Sequence, residues 1–193
     1  MPKTKHMTRT NPYASVDDFQ QIFNEDMNRL YLLSFLLTGD EEKAEQCFVS
    51  GLEDAIKGNL VFKEWARSWS RRTIILNAVR VMNPRPMEGS SGSNSALLNT
   101  LSAEQQPFAA ILELKAFDRF VYVMSVLERY SDQHCSVLLG CTRRDILDAR
   151  TCALQQIGKT MKLPSGAGPQ LTLHELSDSA IGRLLTPHLA TSA

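Results

Sequence analysis

The chain has 193 residues, 43% of them hydrophobic, with 21 basic and 21 acidic side chains. This length and apolar fraction allow one medium-sized domain or two small ones with a real core, and the zero formal charge favours no class of partner. The longest apolar run, LYLLSFLL, falls far short of the roughly 20 residues that span a bilayer, and the polar start shows no signal peptide. We therefore expect a cytoplasmic protein without membrane insertion.

Helical patterns fill the first part of the chain. Ser15 opens an S-x-x-D capping signal before apolar residues at helical spacing, which predicts a single helix from there to Gly39. A second helix is predicted to end near Gly58, and a third to run from about residue 61 to Met82. Together they predict a small helical domain over residues 14–82.

Glycine, serine and proline then mark a flexible linker, residues 83–107. Helical periodicity resumes over residues 108–161, where one helix is predicted over 108–128 and two shorter ones lie on either side of Gly140. The tail, residues 162–193, carries capping and apolar signals that predict a last helix.

The stretch from Tyr130 to Ile157 has the spacing of a helix-turn-helix. Ser136 is the small residue that lets two helices cross, Gly140 suits a turn that needs positive φ, and Thr142 can cap the second helix. A plain helical corner would place these residues in the same way and stays the alternative. The predicted fold is all-α, with two small helical domains joined by a linker, the second containing the helix-turn-helix, and a C-terminal helix.

In a major groove, the second helix of this motif would present its first residues to base edges, and arginine can grip guanine there. Apolar Leu147 and Leu154 stand where phosphate-binding cations would help affinity. We therefore expect any DNA affinity to be weak and salt-sensitive. The DNA contacts predicted on this helix are Thr142, Arg143, Arg144 and Arg150.

A second basic stretch precedes the linker, and its cations alternate with Trp65 and Trp69. Cations beside aromatic rings suit unpaired strands, because bases stack on the rings while phosphates meet the charges. The spacing of the two tryptophans on an apolar stripe favours instead a core position for both. The DNA contacts predicted on this stretch are Lys63, Arg67, Arg71, Arg72 and Arg80.

The remaining chemistry-bearing residues indicate no catalytic or metal site. The four cysteines lie in apolar helical patterns and are predicted to be buried free thiols. A zinc site built from His134, Cys135, Cys141 and Cys152 would fit no common ligand spacing. The histidines are dispersed, and no nucleophile–base pair or phosphate loop appears. We therefore expect no enzyme activity, no metal and no cofactor.

Three segments together resemble the bacterial sigma factors of the extracytoplasmic-function group. LYLLSFLLTGDEEKAEQCF looks like that family's helix, turn and acidic helix, and FKEWARSWSRRTIILNAVR is similar to its next segment, with Phe62, Trp65, Arg71 and Arg80 in place. LKAFDRFVYVMSVLERYSDQHCSVLLG follows its region-four pattern without a gap, matching at Leu114, Arg119, Val121, Leu127, Ser131, Leu139 and Gly140.

The resemblance implies a transcription initiation or regulatory protein whose first domain contacts RNA polymerase core and the melted promoter, and whose second domain reads duplex promoter DNA. The partners it implies are promoter DNA, RNA polymerase core and an anti-sigma or other regulatory protein. The partner-interface residues it implies on the acidic helix are Glu42, Glu45, Gln46 and Val49.

The sequence departs from the family pattern mainly at functional surfaces. On the second helix, the family's acidic core-binding run is replaced by Gln46, Phe48, Val49 and Ser50, and the loop that captures a promoter base in the family is shortened to IKGNLV. Arg72 stands where the family has an asparagine, and Lys115 where it has a proline. The positions that are basic on the family's recognition helix are here Leu147, Ala149 and Cys152. The alternative function is therefore a sigma-derived protein-interaction module with weakened or lost DNA and polymerase binding, for which Leu147 and Leu154 would form part of the interface.

Overall fold

A computed structural model describes residues 11–58, 60–86 and 106–160. Every regular element within these residues is helical, which confirms the predicted all-α class, and a single isolated bridge pairs Tyr13 with Phe62. The helices are α1 Val16–Glu25, α2 Met27–Thr38, α3 Glu41–Lys57, α4 Ala66–Met82, α5 Gln106–Leu112, α6 Ala116–Tyr122, α7 Asp132–Leu139 and α8 Arg143–Thr160. A 3-10 turn, Lys63–Trp65, precedes α4, and a π-helical segment, Val123–Leu127, follows α6.

The single helix predicted before Gly39 was wrong, because the structure has two helices there. The Asp26 amide closes α1 by donating to the Ile22 carbonyl at 2.9 Å, and the Asp26 carboxylate pairs with Arg67 of α4. This tertiary pair fixes a break that apolar periodicity alone does not reveal. Gly39 ends α2 as expected, with φ 66°.

The start predicted for the third helix was also too early. The chain is extended at Phe62, turns through the 3-10 segment and enters α4 only at Ala66. Backbone hydrogen bonds from Ala14 to the Val61 carbonyl and from Lys63 to the Pro12 carbonyl hold this entry against the N-terminal segment.

The helix predicted over residues 108–128 is interrupted in the same way. Lys115 is extended between α5 and α6, and the π-helical segment replaces the end of the predicted helix. The two helices around Gly140, α7 and α8, have 8 and 18 residues.

Helices α3 and α4 make the most extensive contact in the first half of the chain. Gly51 allows this approach, since a Cβ built there would lie 2.5 Å from Ile74 Cδ1 and 3.4 Å from Ile74 Cα. Ile74 is completely buried. The α3–α4 contact is therefore closely packed, with no room for one more methyl group.

The two halves of the chain share one buried apolar cluster, and α6 packs on α2. Buried Arg119 of α6 reinforces this junction by donating hydrogen bonds to the carbonyls of Thr38 at 3.0 Å, Leu37 at 3.4 Å and Leu112 at 3.1 Å. A helix leaves its last carbonyls without intrahelical partners, so Arg119 satisfies the C-terminus of α2 from the other half. Gly39 gives it access, because a Cβ there would lie 3.0 Å from the guanidinium.

Some predictions fall outside the described residues. They are residues 87–105 of the linker and the tail helix of residues 162–193. In the ranges that are described, no helix combines the length and the apolar character needed to cross a membrane.

Candidate nucleic-acid interface

Helices α7 and α8 and the turn between them contain the predicted helix-turn-helix residues. Ser131 caps α7, Gly140 ends it with φ 63°, and Thr142 and Asp145 cap α8 reciprocally, with the Asp145 amide 3.2 Å from the Thr142 hydroxyl. Ile146 and Ala149 of α8 are buried in the core. The turn is thus built by the local signals that were read from the sequence.

The predicted DNA contacts on α8 are already partly engaged within the protein. The Thr142 hydroxyl donates to Asp145 at 2.7 Å, and Arg143 Nε donates to the Gln133 side chain at 2.6 Å. Arg150 pairs with Asp132 of α7 at 2.6 Å. Arg144 is the most available, with its side chain 90% exposed and a long contact of 3.8 Å to Asp148.

Three of the predicted cations at and around α4 are paired with acidic side chains of neighbouring helices. Lys63 pairs with Asp18 of α1 at 3.1 Å, and Arg80 pairs with Asp54 of α3 at 3.4 Å. Arg67 pairs with both Glu25 and Asp26. These pairs neutralise much of the basic stretch, so its charge in the fold is smaller than its sequence indicates.

Arg71 and Arg72 are the exceptions. Neither forms a salt bridge with any acidic group of the described chain. Both are half-buried on the side of α4 that faces the turn before α7. We call the space between α4 and residues 128–134 the seam.

The seam holds two adjoining clefts. The aromatic cleft, of about 440 Å³, is lined by Leu60, Val61, Phe62, Trp65, Ser68, Trp69, Arg72 and Tyr130. The polar cleft, of about 400 Å³, is lined by Ser68, Arg71, Glu128, Arg129, Tyr130, Ser131 and His134. The two clefts share Ser68 and Tyr130.

The two tryptophans of the chain both line the aromatic cleft. The core position predicted for both was wrong for Trp65, which is 58% exposed because the 3-10 turn places it ahead of α4 rather than on the apolar stripe. Trp69 packs against the core, yet its buried Nε1 has no hydrogen-bond partner among the described residues. Phe62 links Trp65 to the N-terminal segment, with its ring centroid 5.4 Å from Trp65 and 4.9 Å from Tyr13.

The polar cleft combines two arginines with one partly buried carboxyl group, that of Glu128. Arg129 has a left-handed backbone, φ 57°, which is unusual for a residue other than glycine. Burial raises the pKa of Glu128, while the charges of Arg71 and Arg29 lower it. Burial also raises the pKa of Tyr130, with Glu128 adding to the effect. The carboxylate therefore faces more than one cation.

The predicted partner surfaces are partly exposed. Glu42, Glu45, Gln46 and Val49 all lie on the exposed side of α3, with Val49 49% exposed. Leu147 of α8 is 46% exposed, but Leu154 is half-buried against the core. Of the two leucines predicted to form part of an interface on α8, Leu147 is the more exposed, and Leu154 packs partly against the core.

The cysteines are all free, but the expectation that all four are buried was wrong. Cys47 and Cys135 are buried, Cys141 is intermediate and Cys152 is exposed on the outer side of α8. Throughout the described ranges, no three or more metal-ligating side chains are grouped as an ion would need.

Sequence reasoning missed the second wall of the seam. Arg129, Tyr130 and His134 precede or begin α7 and were read only as part of a motif. Their juxtaposition with Arg71 and Arg72 depends on long-range packing, which no local pattern encodes. The one sequence signal that pointed to the seam was the mixture of arginine and tryptophan in the segment predicted as the third helix.

A scan against protein-family models and searches of curated proteins and of solved structures found no match to this chain.

Proposed function

We propose that the chain is a sigma-related transcription initiation or regulatory protein that binds nucleic acid and RNA polymerase core. The observation that supports this function best is the seam, where Arg71 and Arg72 form no salt bridge within the described chain and Arg72 lies beside an exposed tryptophan. Unpaired cations next to exposed aromatic rings are the surface chemistry that nucleic acids bind.

Binding of duplex DNA is the role proposed for α8. Exposed Arg144 and the solvent-facing Arg143 supply donors for base edges, and Thr142 lies at the same end of the helix. The acidic neighbours and exposed Leu147 limit the cationic surface, so the proposed duplex affinity is modest and falls with salt, because phosphate contacts release counterions.

RNA polymerase core is the partner proposed for α3. Its exposed face carries Glu42, Glu45, Gln46 and Val49, which combine charge with an exposed apolar side chain. A second candidate function, a protein-interaction module without transcription activity, is favoured by exposed Leu147 and Val137, which are 46% and 67% exposed.

Co-precipitation of RNA polymerase core with the purified chain tests the proposal, followed by fluorescence anisotropy of duplex DNA at about 50 and 200 mM salt. We expect polymerase binding that weakens in a Glu42, Glu45 double alanine, and salt-sensitive duplex binding that weakens in Arg143→Gln. Lys159→Gln, at the far end of α8, is the charge-matched control. Absence of both polymerase and duplex binding would leave the interaction module as the better account.

A further inference from the structure

We propose that the polar cleft of the seam binds a phosphate that carries a proton, either inorganic phosphate or the terminal phosphate of a small phosphomonoester. The cleft takes its side chains from both halves of the chain, so a bound phosphate fastens α4 to the turn before α7. This ligand is separate from the nucleic acid and the polymerase of the proposed function, and neither the aromatic cleft nor α8 takes part in binding it.

The polar cleft lies where positive charge is in excess. Arg71 of α4 and Arg129 of the facing segment line it, together with the carboxyl group of Glu128. Burial raises the pKa of Glu128, while the charges of Arg71 and Arg29 lower it, so Arg29 of α2 also acts on this carboxyl group. None of the three arginines forms a salt bridge within the described residues. The local field therefore attracts an anion.

The start of α7 adds a neutral donor to the arginines. Ser131 caps this helix by accepting from the His134 amide at 3.3 Å, and its hydroxyl lies 3.1 Å from His134 Nδ1. When the hydroxyl donates to Nδ1, the ring proton is on Nε2, which can then donate to a ligand. His134 is exposed and lines the cleft, so a ligand can reach its ring. Guanidinium groups beside such a donor are suited to phosphate oxygens.

Glu128 determines which anion fits the cleft. Its side chain is partly buried and forms no salt bridge within the described residues. A carboxylate can only accept hydrogen bonds, so it repels an anion without a proton and accepts from one that has an O–H. Inorganic phosphate keeps a proton at neutral pH, and a monoester keeps one below its second pKa of about 6. Sulfate and the phosphodiesters of a nucleic acid have none, so Glu128 favours phosphate over both.

The position of the cleft couples the ligand to the packing of the two halves. Ser68 and Arg71 belong to α4, whereas Glu128, Arg129 and His134 belong to the second half. The cleft holds about 400 Å³, within the range of about 300–1,000 Å³ for ligand pockets, so a phosphate enters with room for a small organic group. A ligand that binds the folded chain and not the unfolded one raises stability with the logarithm of its concentration.

Isothermal titration calorimetry of the full chain measures binding directly, at about pH 6 so that monoesters are partly protonated. The titrants, at matched ionic strength, are inorganic phosphate, glycerol 3-phosphate, sulfate and an oligothymidylate with a 5′-hydroxyl end, whose phosphates are all diesters. We expect the first two to bind about tenfold more tightly than sulfate or better and to raise the thermal midpoint. The tighter of the two identifies the source of the phosphate, which is a small monoester or the free ion.

Variants separate the cations from the carboxyl group. Arg71→Gln and Arg129→Gly should each weaken phosphate binding about 10- to 100-fold, the range for losing a hydrogen bond to a charged group. Glycine suits the φ of 57° at position 129, so Arg129→Gly should keep the thermal midpoint of the chain without ligand. Glu128→Gln adds an N–H donor and should raise the affinity for sulfate to that for phosphate. Arg144→Gln removes the same charge at an exposed position of α8 and should leave phosphate binding unchanged.

Three results would overturn the phosphate site. Equal affinity of the parent chain for phosphate and sulfate would leave an unselective anion contact. Phosphate binding that survives both Arg71→Gln and Arg129→Gly would place the ligand outside the polar cleft. Oligothymidylate that displaces phosphate more readily than glycerol 3-phosphate does would make a nucleic acid the ligand of this cleft. Polymerase and duplex binding can each fail without changing any of these results, because neither is measured by the phosphate titrations.

Discussion

The α3–α4 contact and the seam lie on different sides of the same helix and are packed in different ways. On one side, Gly51 lets α3 approach until no methyl group fits. On the other, α4 and residues 128–134 leave about 440 and 400 Å³ between arginines and aromatic rings. The comparison indicates that α4 is held by its α3 side and remains open on the other. Cohesion between the two halves must then come from elsewhere, and Arg119 supplies part of it.

The largest effect is expected from Arg119→Ala, which removes the hydrogen bonds that cross from α6 to the end of α2. Three carbonyls lose a charged donor and a cavity forms at a buried position. We expect a loss of about 3 kcal/mol in the free energy of unfolding, measured by urea denaturation. Arg119→Met restores most of the volume but none of the donors. If Met recovered the full stability, the hydrogen bonds would not be what holds the halves together.

The next effect contrasts the closed and open sides of α4. Gly51→Ala forces a Cβ against Ile74, which should cost about 1–2 kcal/mol despite the better helix propensity of alanine. In an Ile74→Val background, which removes the clashing Cδ1 atom, the same change should cost nothing or stabilise. Ser68→Leu adds more volume on the open side, where Ser68 lines both clefts, and should alter stability by about 0.5 kcal/mol at most. Thermal denaturation of Gly51→Ala, Ile74→Val, their double variant and Ser68→Leu measures these changes in stability. If Gly51→Ala and Ser68→Leu cost the same stability, the two sides of α4 would not differ in packing.

A smaller effect tests whether the core around Tyr122 is dry. The Tyr122 hydroxyl is buried without a hydrogen-bond partner among the described residues, and burial raises the pKa of Tyr122 to about 12. Tyr122→Phe removes this unsatisfied group, so stability should stay equal or rise by about 1 kcal/mol. Chemical denaturation measures it. A clear loss of stability would mean that the hydroxyl has a partner, such as a buried water.

The smallest effect is expected at Asp18 of α1, which pairs with Lys63 beside Phe62. Hydrogen bonds from Ser15 and Lys63 lower the pKa of Asp18 to about 2 from 3.8. A carboxyl group whose pKa falls on folding stabilises the fold above its unfolded pKa, and this contribution disappears as the pH falls through the folded value. Asp18→Asn should therefore be less stable than the parent chain at about pH 7, with the gap closing between pH 3.8 and 2. Asp17→Asn, at the neighbouring exposed position, removes the same charge without those hydrogen bonds, so it should lower the thermal midpoint at about pH 7 by less than Asp18→Asn does.

Local signals predicted the helical class and several helix ends. Ser15, Gly39 and Gly140 all act where their chemistry placed them, because capping and positive φ depend on residues close in sequence. The breaks at Asp26 and Lys115 were missed, since one depends on an ion pair across 41 positions and the other on packing of α5 against the second half.

The candidate site was predictable on one wall only. The sequence shows that basic and aromatic residues are mixed in and just before α4, but it does not show which of the basic residues form salt bridges. Acidic residues of α1 and α3, together with Asp26 between α1 and α2, neutralise Lys63, Arg67 and Arg80, and these partners lie far away in sequence. Only the structure shows that Arg71 and Arg72 form no salt bridge within the described residues.

The π-helical segment, Val123–Leu127, determines which side chains meet α4. A π turn accommodates one residue more than an α-helix of the same span, and one residue rotates everything that follows by about 100° on a helix of 3.6 residues per turn. The Glu128 amide closes that turn on the Val123 carbonyl at 2.9 Å, and Tyr130 follows immediately. A one-residue deletion within the segment would swing Tyr130 away from Trp65 while leaving the composition of the chain almost unchanged. The second wall of the seam is therefore encoded in the residue count of one short segment, and a single codon gained or lost there can create or abolish it.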